Sequence, residues 1–171
     1  MKTINVLVLA AVVALSACKP HQETPAPSVN HALYPEPEQA PADLAAALKT
    51  AAATHKRILV DFGGNWCGDC QVLDIYLHAP ANEAILEQNF VLVHVNIGHM
   101  DANQEIAGRY AVPLDKGVPA MAVLNEKGEL LYSQRGGEFE SMRRMDPATV
   151  TSFLVQWEPQ QAGCSAAKVN C

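Results

Sequence analysis

Two cysteines three residues apart are the side chains of this sequence best suited to chemistry. They lie in the run Trp66-Cys67-Gly68-Asp69-Cys70, between a short apolar stretch and a stretch of helical character. The first turn of a helix has unpaired backbone N–H groups and a partial positive charge, which stabilise a thiolate. We therefore expect the helix start to lower the pKa of Cys67 below the free value of about 8.5. Cys67 would attack a disulfide of a partner, and Cys70 would then displace the product.

The elements that must position these cysteines follow from the apolar pattern. The pattern predicts helices over 43–55, 71–77, 101–110 and 146–157, and strands over 57–62, 90–97, 120–124 and 129–133. Pro80 is expected to bend or end the second helix. Asp101 and Asp146 are predicted N-caps, with Pro147 at the first position of the last helix. Strands that alternate with helices and then form a hairpin predict an α/β fold, a central mixed sheet flanked by helices on both faces.

Three motifs of the sequence resemble the thioredoxin family. The runs at 60–62 and 66–70 fit the family's V-D-F-x-x-x-W-C-G-P-C, and the run at 117–119 resembles its cis-proline loop. The resemblance covers roughly residues 42 to 157, and the chain looks most like exported relatives of the domains found in thiol:disulfide interchange reductases. It implies a thioredoxin-like fold and an enzyme, a thiol:disulfide oxidoreductase that needs no metal or organic cofactor.

The resemblance also implies roles for residues around the cysteines. Asp61 interrupts an apolar strand, and a buried carboxylate there would accept the proton of Cys70; an exposed position at a strand edge is the alternative. Trp66 would pack beside the site and shield it, or be purely structural. Pro119, if cis, would present the backbone of Val118 to an extended substrate, whereas a trans proline would simply form a turn.

Two departures from the family pattern bear on the mechanism. Asp69 replaces the family's proline, and its negative charge would raise the pKa of Cys67 by about one unit. A less stable thiolate makes the reduced form the better electron donor, which predicts a reductant. Alternatively, Asp69 stays solvated and only complements the helix dipole. His94 stands where the family often has a lysine. It would either change the behaviour of Asp61 with pH, or be a structural histidine whose hydrogen bonds are all made.

The N-terminus predicts export to a bacterial cell envelope. Lys2 and the apolar run at 6–15 are typical of a signal peptide. The run at 15–18 (L-S-A-C) resembles the lipobox of bacterial lipoproteins, in which the cysteine, here Cys18, is lipidated. We therefore expect residues 1–17 to be a lipoprotein signal peptide and the protein to face the periplasm from the inner or outer membrane. An ordinary signal peptide with an incidental cysteine is the alternative.

The rest of the chain is divided by composition. Residues 18–41 hold six of the eleven prolines and are predicted to be an extended tether; a strand or helical turn around residues 32–34 is the alternative. A thioredoxin-like domain is expected over 42–157, followed by a tail over 158–171. In that tail Cys164 and Cys171 would form a structural disulfide; alternatively, they are a second redox pair or bridge two molecules.

The composition limits the classes of partner. A net charge of −6, from 12 Lys and Arg against 18 Asp and Glu, offers no basic surface for nucleic acid.

The predicted function is reduction of disulfides in exported proteins by a membrane-tethered enzyme, with a membrane thiol reductase as electron donor. Two alternatives remain. One is a zinc or copper module that uses Cys67 and Cys70 with His94 or His99. The other is a redox-inert binding lipoprotein.

Overall fold

The computed structural model describes residues 30–159 of the 171-residue chain. The predicted signal peptide, the lipidation site Cys18 and the tail cysteines Cys164 and Cys171 lie outside the described residues. Within the described stretch, no helix combines the length and the apolar character needed to cross a membrane.

The described residues form helices and strands in alternation. The helices are α1 Ala40–Thr54, α2 Gly68–Leu77, α3 Pro80–Asn89, α4 Gln104–Arg109 and α5 Ala148–Trp157. The strands are β1 Arg57–Gly63, β2 Phe90–Asn96, β3 Ala120–Leu124 and β4 Leu130–Ser133. Short 3-10 turns lie at Pro37–Gln39, Leu114–Lys116 and Met142–Arg144.

The four strands form one mixed sheet in the order β2-β1-β3-β4. β1 pairs in parallel with β2 and antiparallel with β3, and β3 pairs antiparallel with β4. Helices α1 and α4 pack on one face of this sheet, and α2, α3 and α5 pack on the other. The predicted α/β architecture is therefore confirmed.

The central strand β1 places the chemistry on a defined face. Side chains alternate between the two faces of a strand. Ile58, Val60 and Phe62 are buried beneath α1 and α4, whereas Leu59 is buried beneath α2, α3 and α5. Asp61 shares the face of Leu59, and it therefore lies on the side of the sheet that carries α2.

Two helix boundaries differ from the sequence-based prediction. Pro80 does not simply end a helix; it is the first residue of α3, a helix that the pattern missed. Proline suits this position because the first N–H of a helix has no partner in any case. Helix α4 begins at Gln104, because Asp101 accepts a hydrogen bond from the N–H of His99 (2.9 Å) and so holds the preceding turn. Helix α5 begins at Ala148, so its N-cap is Pro147 and not Asp146 as predicted; Asp146, one position earlier, accepts the N–H of Ala148 at 2.9 Å.

The folded domain also begins earlier than the predicted boundary at residue 42. Leu33 and Tyr34 are buried, the latter to 2% exposure, and α1 begins at Ala40. Residues 33–39, which we call the strap, therefore lie against the domain and are not part of an extended tether. The proline content suggested an unfolded segment, but Leu33 and Tyr34 are buried in one cluster with Cys67, Cys70 and Val118, and this burial holds the strap.

Candidate active site

Cys67 and Cys70 are joined by a disulfide at the N-terminus of α2, with an S–S distance of 2.10 Å. Cys67 is the N-cap of this helix, and its sulfur accepts the backbone N–H of Cys70 at 3.1 Å. Cys67 is 5% exposed, whereas Cys70 has no exposed surface. Of the two cysteines, Cys67 alone has exposed surface, so the predicted order, attack by Cys67 and displacement by Cys70, is the one that this burial favours.

Two glycines before the cysteines allow this close packing. A Cβ at Gly63 would lie 2.7 Å from the Cys70 sulfur, and one at Gly64 would lie 2.6 Å from Nε1 of Trp66. Real Cβ atoms do not approach other atoms so closely. In addition, the carbonyl of Gly64 accepts the N–H of Cys67 at 2.9 Å. The glycines thus let the end of β1 run directly beneath the disulfide.

The loop at 117–119 lies across the disulfide. The Val118–Pro119 peptide bond is cis, and the carbonyl oxygen of Val118 is 3.7 Å from the Cys67 sulfur. Gln134, which is buried, holds this loop: its Nε2 donates to the carbonyl of Pro119 and its Oε1 accepts the N–H of Met121, both at 3.1 Å. Binding of substrate by Val118 and Pro119 remains a prediction.

Trp66 stands at the edge of the site and is 49% exposed. Its indole Nε1 donates to the carbonyl of Gly98 at 2.6 Å, and its ring stacks on His99 with centroids 6.1 Å apart. Much of the ring faces solvent beside Cys67, so the ring offers apolar surface that a partner could cover. Its predicted roles in shielding and in substrate binding remain predictions.

Asp61 is 1% exposed, which excludes the alternative of an exposed strand edge. Its Oδ2 accepts the hydroxyl of Tyr34 at 2.5 Å and lies 3.0 Å from Nδ1 of His94. Its Oδ1 has no hydrogen-bond partner within the described part of the chain. The carboxylate is thus held by one oxygen and retains capacity to accept a further proton on this buried face.

Tyr34 is a site residue that the sequence-based reasoning did not single out. Burial raises the pKa of Tyr34 well above its ordinary value of 10.0, and the neighbouring charge of Asp61 raises it further. The phenol is therefore neutral over the physiological pH range, and its hydroxyl donates a hydrogen bond to Asp61. Tyr34 lies 27 residues before Asp61 in a proline-rich segment, so no local pattern signalled the pairing.

A line of polar side chains leads from Asp61 towards the surface. The second ring nitrogen of His94, Nε2, is 4.0 Å from Oδ1 of Asp74. The same Asp74 oxygen is 3.1 Å from Nδ1 of His78, a side chain that is half exposed. His94 therefore lies between the buried carboxylate and groups that reach solvent.

Asp69 forms an ion pair with Arg143 that no pattern in the sequence predicts. Its Oδ2 accepts from Nη2 and Nε of Arg143 at 2.8 and 3.1 Å, and its Oδ1 accepts the backbone N–H of Arg143 at 2.9 Å. The hydrogen bonds from the Arg143 side chain lower the pKa of Asp69. The guanidinium offsets the carboxylate charge, so less negative charge acts on Cys67 than the sequence alone predicted. Nor is Asp69 a freely solvated carboxylate, the alternative considered above.

The histidines considered for a metal site have other partners. His94 contacts Asp61, and His99 stacks on Trp66. Among residues 30–159, no group of three or more His, Cys, Asp or Glu side chains could hold a metal ion.

The arrangement resembles several known proteins. A family model described as thioredoxin-like matches residues 38–126. The chain is 30% identical over 84 residues to a thioredoxin of Chlorobaculum thiosulfatiphilum, covering 49% of this chain and 68% of the thioredoxin. A solved disulphide isomerase from Xylella fastidiosa Temecula1 superposes with a TM-score of 0.69 at 34% identity, over 72% of this chain and 95% of that one.

A longer relative matches over more than two thirds of the chain. The thiol:disulfide interchange protein DsbD of Pseudomonas fluorescens is 26% identical over 121 residues, which are 70% of this chain. The chain spans only 19% of the length of that relative.

Proposed function

The chain belongs to the thioredoxin-like family, and on this basis we propose that it is a thiol:disulfide oxidoreductase that reduces disulfides of exported proteins from a membrane anchor. One observation carries the proposal: the Cys67–Cys70 disulfide at the start of α2, with Cys67 as the reachable sulfur and Cys70 buried behind it. The thioredoxin and the disulphide isomerase described above, which this chain resembles over most of their lengths, support the same chemistry.

The proposed reaction transfers two electrons from the protein to its substrate. In the reduced protein, the thiolate of Cys67 attacks one sulfur of a substrate disulfide, and the other substrate sulfur leaves as a thiolate that takes a proton. The sulfur of Cys70 then attacks Cys67, the mixed disulfide breaks, and the second substrate thiol is released. The protein ends with the Cys67–Cys70 disulfide, the state of the structure.

The groups around the Cys67 sulfur support the reducing direction. The carbonyl oxygen of Val118, the negative end of a peptide dipole, is 3.7 Å from it. This oxygen disfavours a negative charge on the sulfur, whereas the N–H of Cys70 favours one. Asp69 adds negative charge that Arg143 partly offsets. The Val118 carbonyl and Asp69 make the Cys67 thiolate less stable, and a less stable thiolate makes the dithiol a better electron donor.

The reduction potential of the Cys67–Cys70 pair tests the direction. We expect a value near that of thioredoxin, about −270 mV, measured by equilibration with glutathione or dithiothreitol. A value near about −120 mV would contradict the reducing role. Arg143→Ala should make the potential more negative by roughly 20–40 mV, because the unpaired Asp69 charge destabilises the thiolate. Arg135→Ala, which removes an arginine that does not pair with Asp69, is the control.

The membrane anchor is proposed from the sequence of the signal region. A lipid on Cys18 would hold the enzyme at the envelope, facing the periplasm, where disulfides of exported proteins form. A membrane thiol reductase is the proposed electron donor. The similarity to a thiol:disulfide interchange protein supports this class of partner.

Cell fractionation tests the anchor. We expect the full-length protein in the membrane fraction and Cys18→Ala in the soluble or unprocessed fraction, because the lipid has no attachment point. Mass spectrometry of the wild type should show a diacylglycerol-modified N-terminal peptide. A wild-type protein that is soluble and unmodified would rule out the anchor, and it would leave the redox chemistry untouched.

A further inference from the structure

We propose that the hydroxyl of Tyr34 relays the proton between the Cys70 thiol and the Asp61 carboxylate, so that the N-terminal strap supplies part of the proton-transfer machinery. The inference rests on the proposed function, because the relay matters only if Cys70 displaces a substrate from Cys67. It goes beyond that function by assigning a role to a residue that lies outside the cysteine motif.

The hydroxyl binds the acid and shares the space above Gly63 with the Cys70 sulfur. Its oxygen is 2.5 Å from Oδ2 of Asp61. The hydroxyl oxygen and the Cys70 sulfur both lie within 2.7 Å of the point that a Cβ of Gly63 would occupy. Tyr34 and Cys70 also share one buried cluster with Leu33 and Cys67. A glycine at 63 leaves room for both the phenol and the sulfur over the end of β1.

The strap is held in place by side-chain amides of the domain. Asn65 binds the backbone of Tyr34 twice: its Oδ1 accepts the N–H and its Nδ2 donates to the carbonyl, both at 2.9 Å. Asn96 and Asn103 donate to carbonyls farther along the strap at 2.7 and 2.8 Å. The backbone of the strap is therefore fixed at Tyr34, Pro35 and Pro37, which holds the phenol in position as a proton relay requires.

The proposed step conserves protons and electrons. The thiol proton of Cys70 passes to the oxygen of Tyr34 as the phenol proton passes to Asp61. The phenol is thus neutral before and after the step. The resulting thiolate of Cys70 attacks the sulfur of Cys67, a Cys67–Cys70 bond forms, and the bond from Cys67 to the substrate breaks. The substrate sulfur leaves as a thiolate, and the proton remains on Asp61 until it is lost to solvent.

The groups that face this relay come from three elements. Asp61 lies on β1, His94 on β2, and Asp74 on α2 beside Cys70. The Nδ1 of His94 lies 3.0 Å from the Asp61 oxygen that also binds Tyr34, and its Nε2 lies 4.0 Å from Oδ1 of Asp74, which is beyond hydrogen-bond distance. Because burial keeps the phenol neutral, it exchanges protons by relay and does not ionise.

The displacement step can be isolated with a small aromatic disulfide. Reduced protein mixed with an equimolar amount of dithionitrobenzoate should release two equivalents of coloured thiolate in two phases. The first phase reports attack by Cys67, and the second reports displacement by Cys70. We expect Tyr34→Phe to slow the second phase about 10-fold at neutral pH and to leave the first phase within about twofold of wild type.

Two further readouts separate a relay from a structural role. In Tyr34→Phe the rise of the second-phase rate with pH should move to higher pH, because Cys70 must then lose its proton to solvent. In wild type the second phase should slow in heavy water, since a proton moves in that step. Tyr110→Phe removes the hydroxyl of a buried tyrosine packed on the other face of the sheet, and it should match wild type.

The outcomes distinguish this inference from the proposed function. Second-phase rates and pH profiles in Tyr34→Phe that equal those of wild type would overturn the relay. So would a wild-type second phase that is indifferent to heavy water, a result that needs no variant to fold. A wild-type protein that releases one equivalent only would instead show that Cys70 does not displace, and the proposed function itself would fail.

Discussion

Replacing Cys67 by serine is expected to abolish reduction of protein disulfides, with a loss of about 10³-fold or more. A serine hydroxyl does not cleave a disulfide under these conditions, and no other sulfur of the site can take over. Cys70 has no exposed surface, so a folded substrate cannot reach it. The measurement is the rate of insulin precipitation with dithiothreitol as the electron source, using the part of the chain that follows Cys18.

Cys70→Ala is the matched control for this prediction, because it also removes one of the two sulfurs. Cys67 retains its position at the helix start and still attacks, but nothing displaces the product. We expect turnover to stop and a covalent mixed disulfide to accumulate, visible as a mass increase that dithiothreitol reverses. If Cys67→Ser kept substantial activity, or if Cys70→Ala trapped no adduct, the exchange mechanism would be untenable.

The sequence was sufficient for the architecture because the central strands β1 and β3 are buried on both faces. A strand such as β1, which is covered by helices on each side, must be apolar along almost its whole length. Asp61 stood out for the same reason, as the one carboxylate in that run. The cysteine spacing placed the redox pair at a helix start, because only there do two sulfurs three residues apart meet beside free N–H groups.

The remaining parts of the site depend on contacts that sequence spacing does not encode. Arg143 reaches Asp69 across 74 positions, and Gln134 reaches the loop at Pro119 across 15. Tyr34 lies in a segment whose proline content predicted an extended tether. In each case the role of the polar residue depends on the groups that the fold brings next to it. A single Tyr, Gln or Arg adds nothing to the apolar periodicity from which elements are predicted.

Gly63→Ala is expected to destabilise the oxidised protein by about 1–3 kcal/mol and to slow turnover as well. Gly63 has no unusual backbone conformation that only glycine can adopt, so the cost is steric. The new methyl group would meet the Cys70 sulfur and Cζ of Tyr34, each at 2.7 Å. Both neighbours are buried and neither is the free end of a flexible chain, so the collision cannot be relieved by a simple rotation.

Gly108→Ala provides the control for this substitution. Gly108 lies within α4, and apart from its two chain neighbours and the backbone of its own helix, no atom of residues 30–159 lies within 4 Å of the position of its Cβ. An alanine there should leave stability unchanged or raise it by up to about 1 kcal/mol, because alanine favours a helix more than glycine does. Urea unfolding of both oxidised variants gives the comparison. If Gly63→Ala unfolded at the wild-type midpoint, Tyr34 and the Cys70 sulfur would not pack as closely on Gly63 as described. The relay assigned to Tyr34 would then lose its geometric basis, whereas the exchange chemistry of Cys67 would stand.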